Sequence, residues 1–283
     1  MSPRAGRLRW LSPGGFHGLA WTEWGPADGA PVVCVHGLTR TGRDFDALAA
    51  VLAAHGRRVL CPDMPGRGAS DRLPDPSLYR NDVYAGACAH LLAILGEKPV
   101  DWVGTSMGGI IGMILAAMPN APIRRLVVND VGPFIPAASL ARIGEYLGRE
   151  WHFADLAAAE QHTRKAYAPF GALTDAQWCH LTETSVRPHP AGGYRLHYDP
   201  AIAEAFRTPP EDIAFWPLWE QIVAPTLVLR GESSDLLLPE TAARMARRPG
   251  VRVEMIAGCG HAPALFDPSQ ISPIAAFLDE EHA

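Results

Sequence analysis

Val100-Asp101-Trp102-Val103-Gly104-Thr105-Ser106-Met107-Gly108-Gly109 opens as a short apolar run and closes on a serine between glycines. Residues 100–103 read as a strand buried on both faces. Residues 107–118 are apolar nearly all round, as suits a helix packed deep against a sheet. Such a strand–turn–helix around G-x-S-x-G is the context of a nucleophile elbow. The tight turn strains the serine backbone, and glycine on either side lets neighbouring elements close around it. The hydroxyl then stands above the sheet at a helix N-terminus, which favours developing negative charge.

Outward from this turn, strands and helices alternate. Residues 31–36, 58–61, 125–128, 226–229 and 251–256 are further strand-like runs, and residues 45–54, 83–95 and 271–278 carry helical patterns. Alternation of this kind predicts a mostly parallel, doubly wound α/β sheet. Segments 8–11 and 19–24 predict an antiparallel hairpin at one edge. Residues 134–219 break the pattern: helical stretches and Pro-containing breaks replace buried strands, and 13 of the chain's 23 aromatic residues fall here. They read as a helical cap inserted into a core made of residues 1–133 and 220–283. The cap's last helix, over about 212–222, is expected to return to the core. Most of its aromatics would fill its own interior, and some would face a cleft.

A serine needs a base to act as a nucleophile at neutral pH. His261, in Gly258-Cys259-Gly260-His261-Ala262-Pro263, leaves the run 251–256 on the same sheet edge as Ser106. The histidine needs an orienting carboxylate. Asp235, on the loop after 226–229, is the favoured choice. Asp130, at the end of 125–128, is the alternative, with Glu232 a third. An attacked carbonyl also needs preorganised donors for its oxyanion. The backbone N–H of Met107, after the serine, and that of Leu38, in His36-Gly37-Leu38-Thr39, are the candidates. The His36 side chain reads as structural support beneath the site.

With these residues in place, the chain resembles the α/β-hydrolase superfamily over nearly its whole length. The resemblance rests on His36-Gly37, on Asp63-Met64-Pro65-Gly66-Arg67-Gly68-Ala69-Ser70-Asp71, on the elbow, and on the Asp235 and His261 loops. It implies an eight-stranded sheet with a lid after strand six, the order Ser, Asp, His, no metal and no organic cofactor. Related subfamilies differ at telling positions. Haloalkane dehalogenases and epoxide hydrolases place Asp at the elbow. Many carbon–carbon bond hydrolases carry Pro-Gly soon after His-Gly, where this chain has Leu38-Thr39-Arg40. Proline iminopeptidases have Trp where Met107 stands. A carboxylesterase-like serine hydrolase remains. It is expected to cleave esters of small to medium acyl or hydroxyacyl groups through an acyl-enzyme on Ser106. The alternatives are a carbon–carbon bond hydrolase, or a cofactor-free perhydrolase or acyltransferase using the same triad.

Composition sets the outer bounds. The chain has 283 residues, 48% of them hydrophobic, and a net charge of −5. That is enough for a core needing no disulfide or metal, and it carries no basic footprint for nucleic acid. The only lysines, Lys98 and Lys165, stand in no P-loop or Schiff-base context. The longest apolar stretch is about 12 residues, short of the roughly 20 a membrane span needs. Five cysteines without a C-x-x-C motif read as reduced thiols in a cytoplasmic protein. A small-molecule ester is the expected partner, with no nucleic acid or membrane, for a monomer or homodimer. Arg40 and Arg43, just after the oxyanion loop, read as solvated loop residues, with a contact from one of them to a substrate carboxylate as the alternative. His189 and His197 lack metal-ligand spacing. Residues 194–199 read as a lid edge over the pocket, and Cys259 as packing.

Overall fold

The computed structural model describes residues 2–280; residue 1 and residues 281–283, the outer ends of the expected core segments, lie outside the described residues. The chain opens with a hairpin of β1 (Arg4–Ser12) and β2 (Gly15–Trp24). It continues through β3 (Pro31–Val35), α1 (Asp46–Ala54), β4 (Arg58–Pro62), α2 (Asn81–Ala93), β5 (Val100–Thr105), α3 (Met107–Ala116) and β6 (Ile123–Asn129). After β6 come β7 (Phe134–Ile135), α4 (Ala137–Gly144), β8 (His152–Phe153), α5 (Leu156–Ala166) and α6 (Asp175–Glu183). The same stretch ends with β9 (Val186–Pro188), β10 (Tyr194–Leu196), β11 (Ile213–Ala214) and α7 (Trp216–Glu220). The chain closes with β12 (Thr226–Gly231), α8 (Pro239–Met245), β13 (Val251–Ile256) and α9 (Pro268–Asp279).

Eight strands form one sheet in the order β1-β2-β4-β3-β5-β6-β12-β13. The pairs β1/β2 and β2/β4 are antiparallel and the rest are parallel. This is the α/β-hydrolase fold. Central strands are apolar on both faces because both faces are covered. Val33, Val35, Trp102 and Val128 pack with residues of α2, α3 and α8, while Val32, Cys34, Val103 and Val127 pack with α1 and α9. α3 shows why a helix can be apolar all round: it is wedged against β5, β6 and α2.

The segment between β6 and β12 adds no strand to this sheet, but it is not purely helical. β8, β10 and β9 form a small antiparallel sheet, and β11 pairs with β7. These strands have two or three residues each, too short for the period-2 signal that marks a strand in sequence. The helix expected over about 212–222 is shorter, Trp216–Glu220. Pro217 fits only a helix's first turn, and residues 213–214 are already extended in β11.

Candidate active site

Ser106 sits between β5 and α3 with φ 52° and ψ −115°, a conformation that non-glycine residues rarely adopt. Its neighbours explain the glycines. A Cβ on Gly104 would lie 2.2 Å from the Gly108 carbonyl oxygen, and one on Gly108 would lie 1.9 Å from that of Val35. The Ser106 N–H donates to the Asn129 carbonyl at 2.9 Å, which ties the elbow to the end of β6.

The loop after β13 carries His261 to this serine. His261 Nε2 lies 2.9 Å from Ser106 Oγ, and His261 Nδ1 lies 2.7 Å from Asp130 Oδ2. A carboxylate only accepts, so Nδ1–H donates to Asp130 and Nε2 is left to accept from the serine hydroxyl. The Asp130 side chain has no exposed surface and that of His261 is 13% exposed.

This arrangement corrects the favoured carboxylate. Asp235 does not contact His261. Its side chain is 49% exposed and is paired through both oxygens with Arg142, at 2.6 and 2.8 Å. The reason lies at the ends of two adjacent strands. Asp130 follows β6 directly, and its φ of 57° turns it inward. The loop after β12 meets it with donors: Gly231 N–H reaches Asp130 Oδ1 at 2.8 Å, and the Ser234 hydroxyl reaches Oδ2 at 2.6 Å. That loop supports a carboxylate instead of supplying one. Glu232 likewise points elsewhere, accepting from the Gly258 N–H at 3.0 Å.

The loop after β3 lies against the serine, and a Cβ on Gly37 would be 3.7 Å from Ser106 Cβ. Two buried side chains fix it. His36 Nδ1–H donates to the Gly37 carbonyl at 2.7 Å, and His36 Nε2 accepts from the Met64 N–H at 2.9 Å. Within a trans peptide the N–H points opposite the C=O, so His36 aims the Leu38 N–H away from its own ring. Arg67 holds the next peptide: its Nε donates to the Leu38 carbonyl at 2.8 Å. The same guanidinium reaches Pro65 O and Tyr84 OH, both at 2.7 Å, and lies 3.8 Å from Met107 Sδ. Full burial pushes the His36 pKa down to about 3, and the Arg67 and Arg40 charges push the same way. The ring is therefore neutral, as its one donated and one accepted bond require.

Ser106, Leu38 and His261 line a small cavity of about 70 Å³, bordered from the segment after β6 by Ile143, Tyr146 and Tyr167. Tyr167 OH is 3.0 Å from Thr39 Oγ1, which links that segment to the loop after β3. Burial pushes the Tyr146 phenol pKa up. Arg40 is not a solvated loop residue. It is buried, paired with Asp44 at 2.7 Å, and lies with its guanidinium carbon 4.5 Å from the Tyr167 ring centre. Arg43 pairs with Asp46. Residues 195, 196 and 198 border a different cavity, not the one at Ser106. Cys259 is buried against the Phe170 carbonyl. Among the described residues, no cluster of three or more His, Cys, Asp or Glu could hold a metal ion, and no helix is long and apolar enough to cross a membrane.

Sequence reasoning missed Ser234 and Arg67 as parts of this site. Ser234 stood next to the favoured Asp235, and Arg67 lay in a stretch quoted only for the family resemblance; no local pattern separates either from a surface residue.

Fold and site together define a class of hydrolase, and the α/β-hydrolase fold family model matches residues 30–268, so the chain belongs to that family. It is similar to the 3-hydroxybutyrate-oligomer hydrolase of Cupriavidus necator, with 44% identity over 98% of both chains. It is also similar to Lipase LipV of Mycobacterium tuberculosis, with 29% identity over 89% of this chain and 94% of that one. An α/β hydrolase structure from Novosphingobium aromaticivorans superposes with a TM-score of 0.88 at 36% identity, covering 99% of each chain. The chain is a carboxylic ester hydrolase.

Proposed function

We propose that the protein is a serine esterase acting on short hydroxyacyl esters, with linear 3-hydroxybutyrate oligomers as the leading substrate class. The observation that carries the mechanism is the continuous relay from Ser106 Oγ through His261 to Asp130, at 2.9 and 2.7 Å. The likeness to the Cupriavidus necator oligomer hydrolase supports the substrate class. The small cavity at Ser106 suits a short acyl unit better than a long lipid chain.

In this reading His261 Nε2 takes the Ser106 proton as Oγ attacks the ester carbonyl. Asp130 holds the imidazole in the required tautomer and stabilises its charged form. The oxyanion is met by the N–H groups of Leu38 and Met107. Neither needs a side chain to order, and His36 and Arg67 already hold the loop that carries Leu38. As the tetrahedral intermediate collapses, His261 gives its proton to the departing alkoxide oxygen, and water activated by the same ring releases the acid from Ser106. Residues 134–219 act as the cap: Tyr146 and Tyr167 close the cavity and limit water near the acyl-enzyme.

The test is hydrolysis of 3-hydroxybutyrate dimer and trimer beside p-nitrophenyl esters from acetate to palmitate, with wild type and Ser106→Ala in parallel. Expected are turnover of the oligomers, a short-chain optimum and no turnover by the variant. A 3-hydroxybutyryl adduct on Ser106 in intact-mass spectra would identify the intermediate. Activity retained by Ser106→Ala would overturn the mechanism. Activity confined to long acyl chains would overturn the substrate class.

A further inference from the structure

The segment between β6 and β12 borders a second cavity, of about 210 Å³, lined by three arginines, Arg72, Arg149 and Arg195, beside His152, His189 and Trp151. The small sheet explains how the charges converge. In the central strand β10, Arg195 is directly opposite Arg187 of β9 and His152 of β8. Directly opposite residues share a face of the sheet, and like charges in that position destabilise it. The His152 and His189 rings stand with centres 4.6 Å apart on the same side.

Among the described residues, neither Arg187 nor Arg195 has an ion pair or a side-chain hydrogen bond, and the Nε atoms of both are buried without a partner. Burial and the neighbouring Arg72 and Arg195 charges hold the Arg187 pKa below its ordinary value. Two carboxylates are near. Glu150 borders the cavity. Asp199 is 3.9 Å from Arg72 Nε, but its oxygens already accept from Tyr79 OH at 2.7 Å and from the Ala201 N–H at 3.1 Å. Arg72, Arg149, Arg195 and Arg187 thus outnumber the two carboxylates near them, Glu150 and Asp199. A fold needing only a stable small sheet would place neutral residues at positions 187 and 195.

We propose that this cavity binds a small organic anion carrying two or more negative charges, a phosphate ester or a polycarboxylate, on Arg195, Arg72 and Arg149, with Arg187 beside Arg195 on the same face of the small sheet. Guanidinium forks match both oxyanions bidentately, and such charge-assisted bonds are the strong ones. An anion lying on the face of the small sheet beside Arg187 and Arg195 would offer their Nε–H groups an acceptor and offset the cross-strand repulsion. A singly charged acid would leave most of the positive charge uncompensated. The site does not depend on the reaction at Ser106. Tyr198, on its wall, is buried and lies in the field of Tyr146 and Tyr167 of the serine pocket, so the two cavities are neighbours.

The test is thermal unfolding of the full chain in Tris chloride, titrated with pyrophosphate, citrate or acetate at ionic strength held constant with NaCl. A ligand that binds only the folded state raises Tm in a saturable way. Pyrophosphate, citrate or both are expected to do so while acetate does not; which of the two binds more tightly tells phosphate from carboxylate chemistry. Calorimetric Kd values should weaken about tenfold or more in Arg195→Gln and in Arg149→Gln, and stay unchanged in Ser106→Ala. Arg149 is exposed, so its variant keeps the test valid if Arg195→Gln fails to fold. No saturable shift with pyrophosphate or citrate, an equal shift with acetate, or undiminished binding in Arg149→Gln would overturn the proposal.

Discussion

The Ser234 hydroxyl donates to Asp130 Oδ2 at 2.6 Å, and that same oxygen is the one 2.7 Å from His261 Nδ1. Ser234 Oγ also accepts from the Leu237 N–H at 3.1 Å, which fixes its rotamer. A side chain from the loop after β12 thus sets where the carboxylate points, and the carboxylate sets where the imidazole points. Ser234→Ala should lower kcat about tenfold while changing KM less than about twofold, because a hydrogen bond to a buried charge is worth roughly 1.5–3 kcal/mol and only part is felt at the imidazole. Ser234→Thr, which keeps the hydroxyl, should recover most of the rate. A variant that lost only thermal stability and kept its kcat would make the contact merely structural.

The two candidate carboxylates make opposite predictions. Asp130→Asn keeps the shape but offers His261 Nδ1 an amide that can stabilise the wrong tautomer, so kcat/KM should fall by about 10³–10⁴. Asp235→Asn weakens an exposed pair with Arg142, and exposed pairs contribute about 0–1 kcal/mol. Its activity and Tm should stay near wild type. Steady-state rates on a short ester decide the matter, and a large loss in Asp235→Asn with little in Asp130→Asn would reverse the assignment.

Arg67 acts one step behind the loop after β3. It is fully buried, holds the Leu38 carbonyl and touches Met107 Sδ, so one guanidinium contacts both residues proposed to supply oxyanion donors. Lys keeps the charge but cannot span Leu38 O, Pro65 O and Tyr84 OH together. Arg67→Lys should lower kcat about tenfold and leave KM within about twofold, since a misplaced donor is felt most in the transition state. Equal losses in kcat and in the fraction of folded protein, read by circular dichroism, would reduce Arg67 to a scaffold residue.

The core was legible in the sequence because its signals are long or sterically sharp. The central strands are continuous apolar runs, and the Gly104–Gly108 pattern has a direct cause in the approach of Gly108 to Val35. Ser106 and His261 could be placed because each follows a strand that must end at the same sheet edge. The carboxylate could not. Asp130 and Asp235 both follow strands ending at that edge, β6 and β12 are neighbours, and only side-chain direction separates them. The left-handed φ of Asp130 leaves no mark in the local sequence. The short strands β8, β9 and β10 were invisible for a related reason: their pairing is set by distant partners, not by periodicity.

His36 offers a test of the buried support through pH. Its folded-state pKa is about 3 because burial disfavours the charged ring, whereas in the unfolded chain it titrates near the ordinary 6.5. Between these values the unfolded state binds the extra proton, so stability rises with pH across that window. The contribution is fully present above about pH 6.5 and is lost progressively as pH falls toward 3, with a slope of up to about 1.4 kcal/mol per pH unit. Buried His197, its pKa also well below the ordinary value through burial, adds a term of the same sign. Buried Asp63, its pKa raised by burial, opposes them as pH falls through its own range. Comparison with His36→Gln removes the shared terms, since glutamine retains a donor for Gly37 O and an acceptor for the Met64 N–H without a titrating ring. Urea midpoints taken from pH 7.5 down to 4.5 should fall more steeply in wild type than in the variant, by about one proton's worth of slope. Parallel curves would mean that His36 is protonated in the folded protein, and the neutral ring that aims the Leu38 N–H would have to be abandoned.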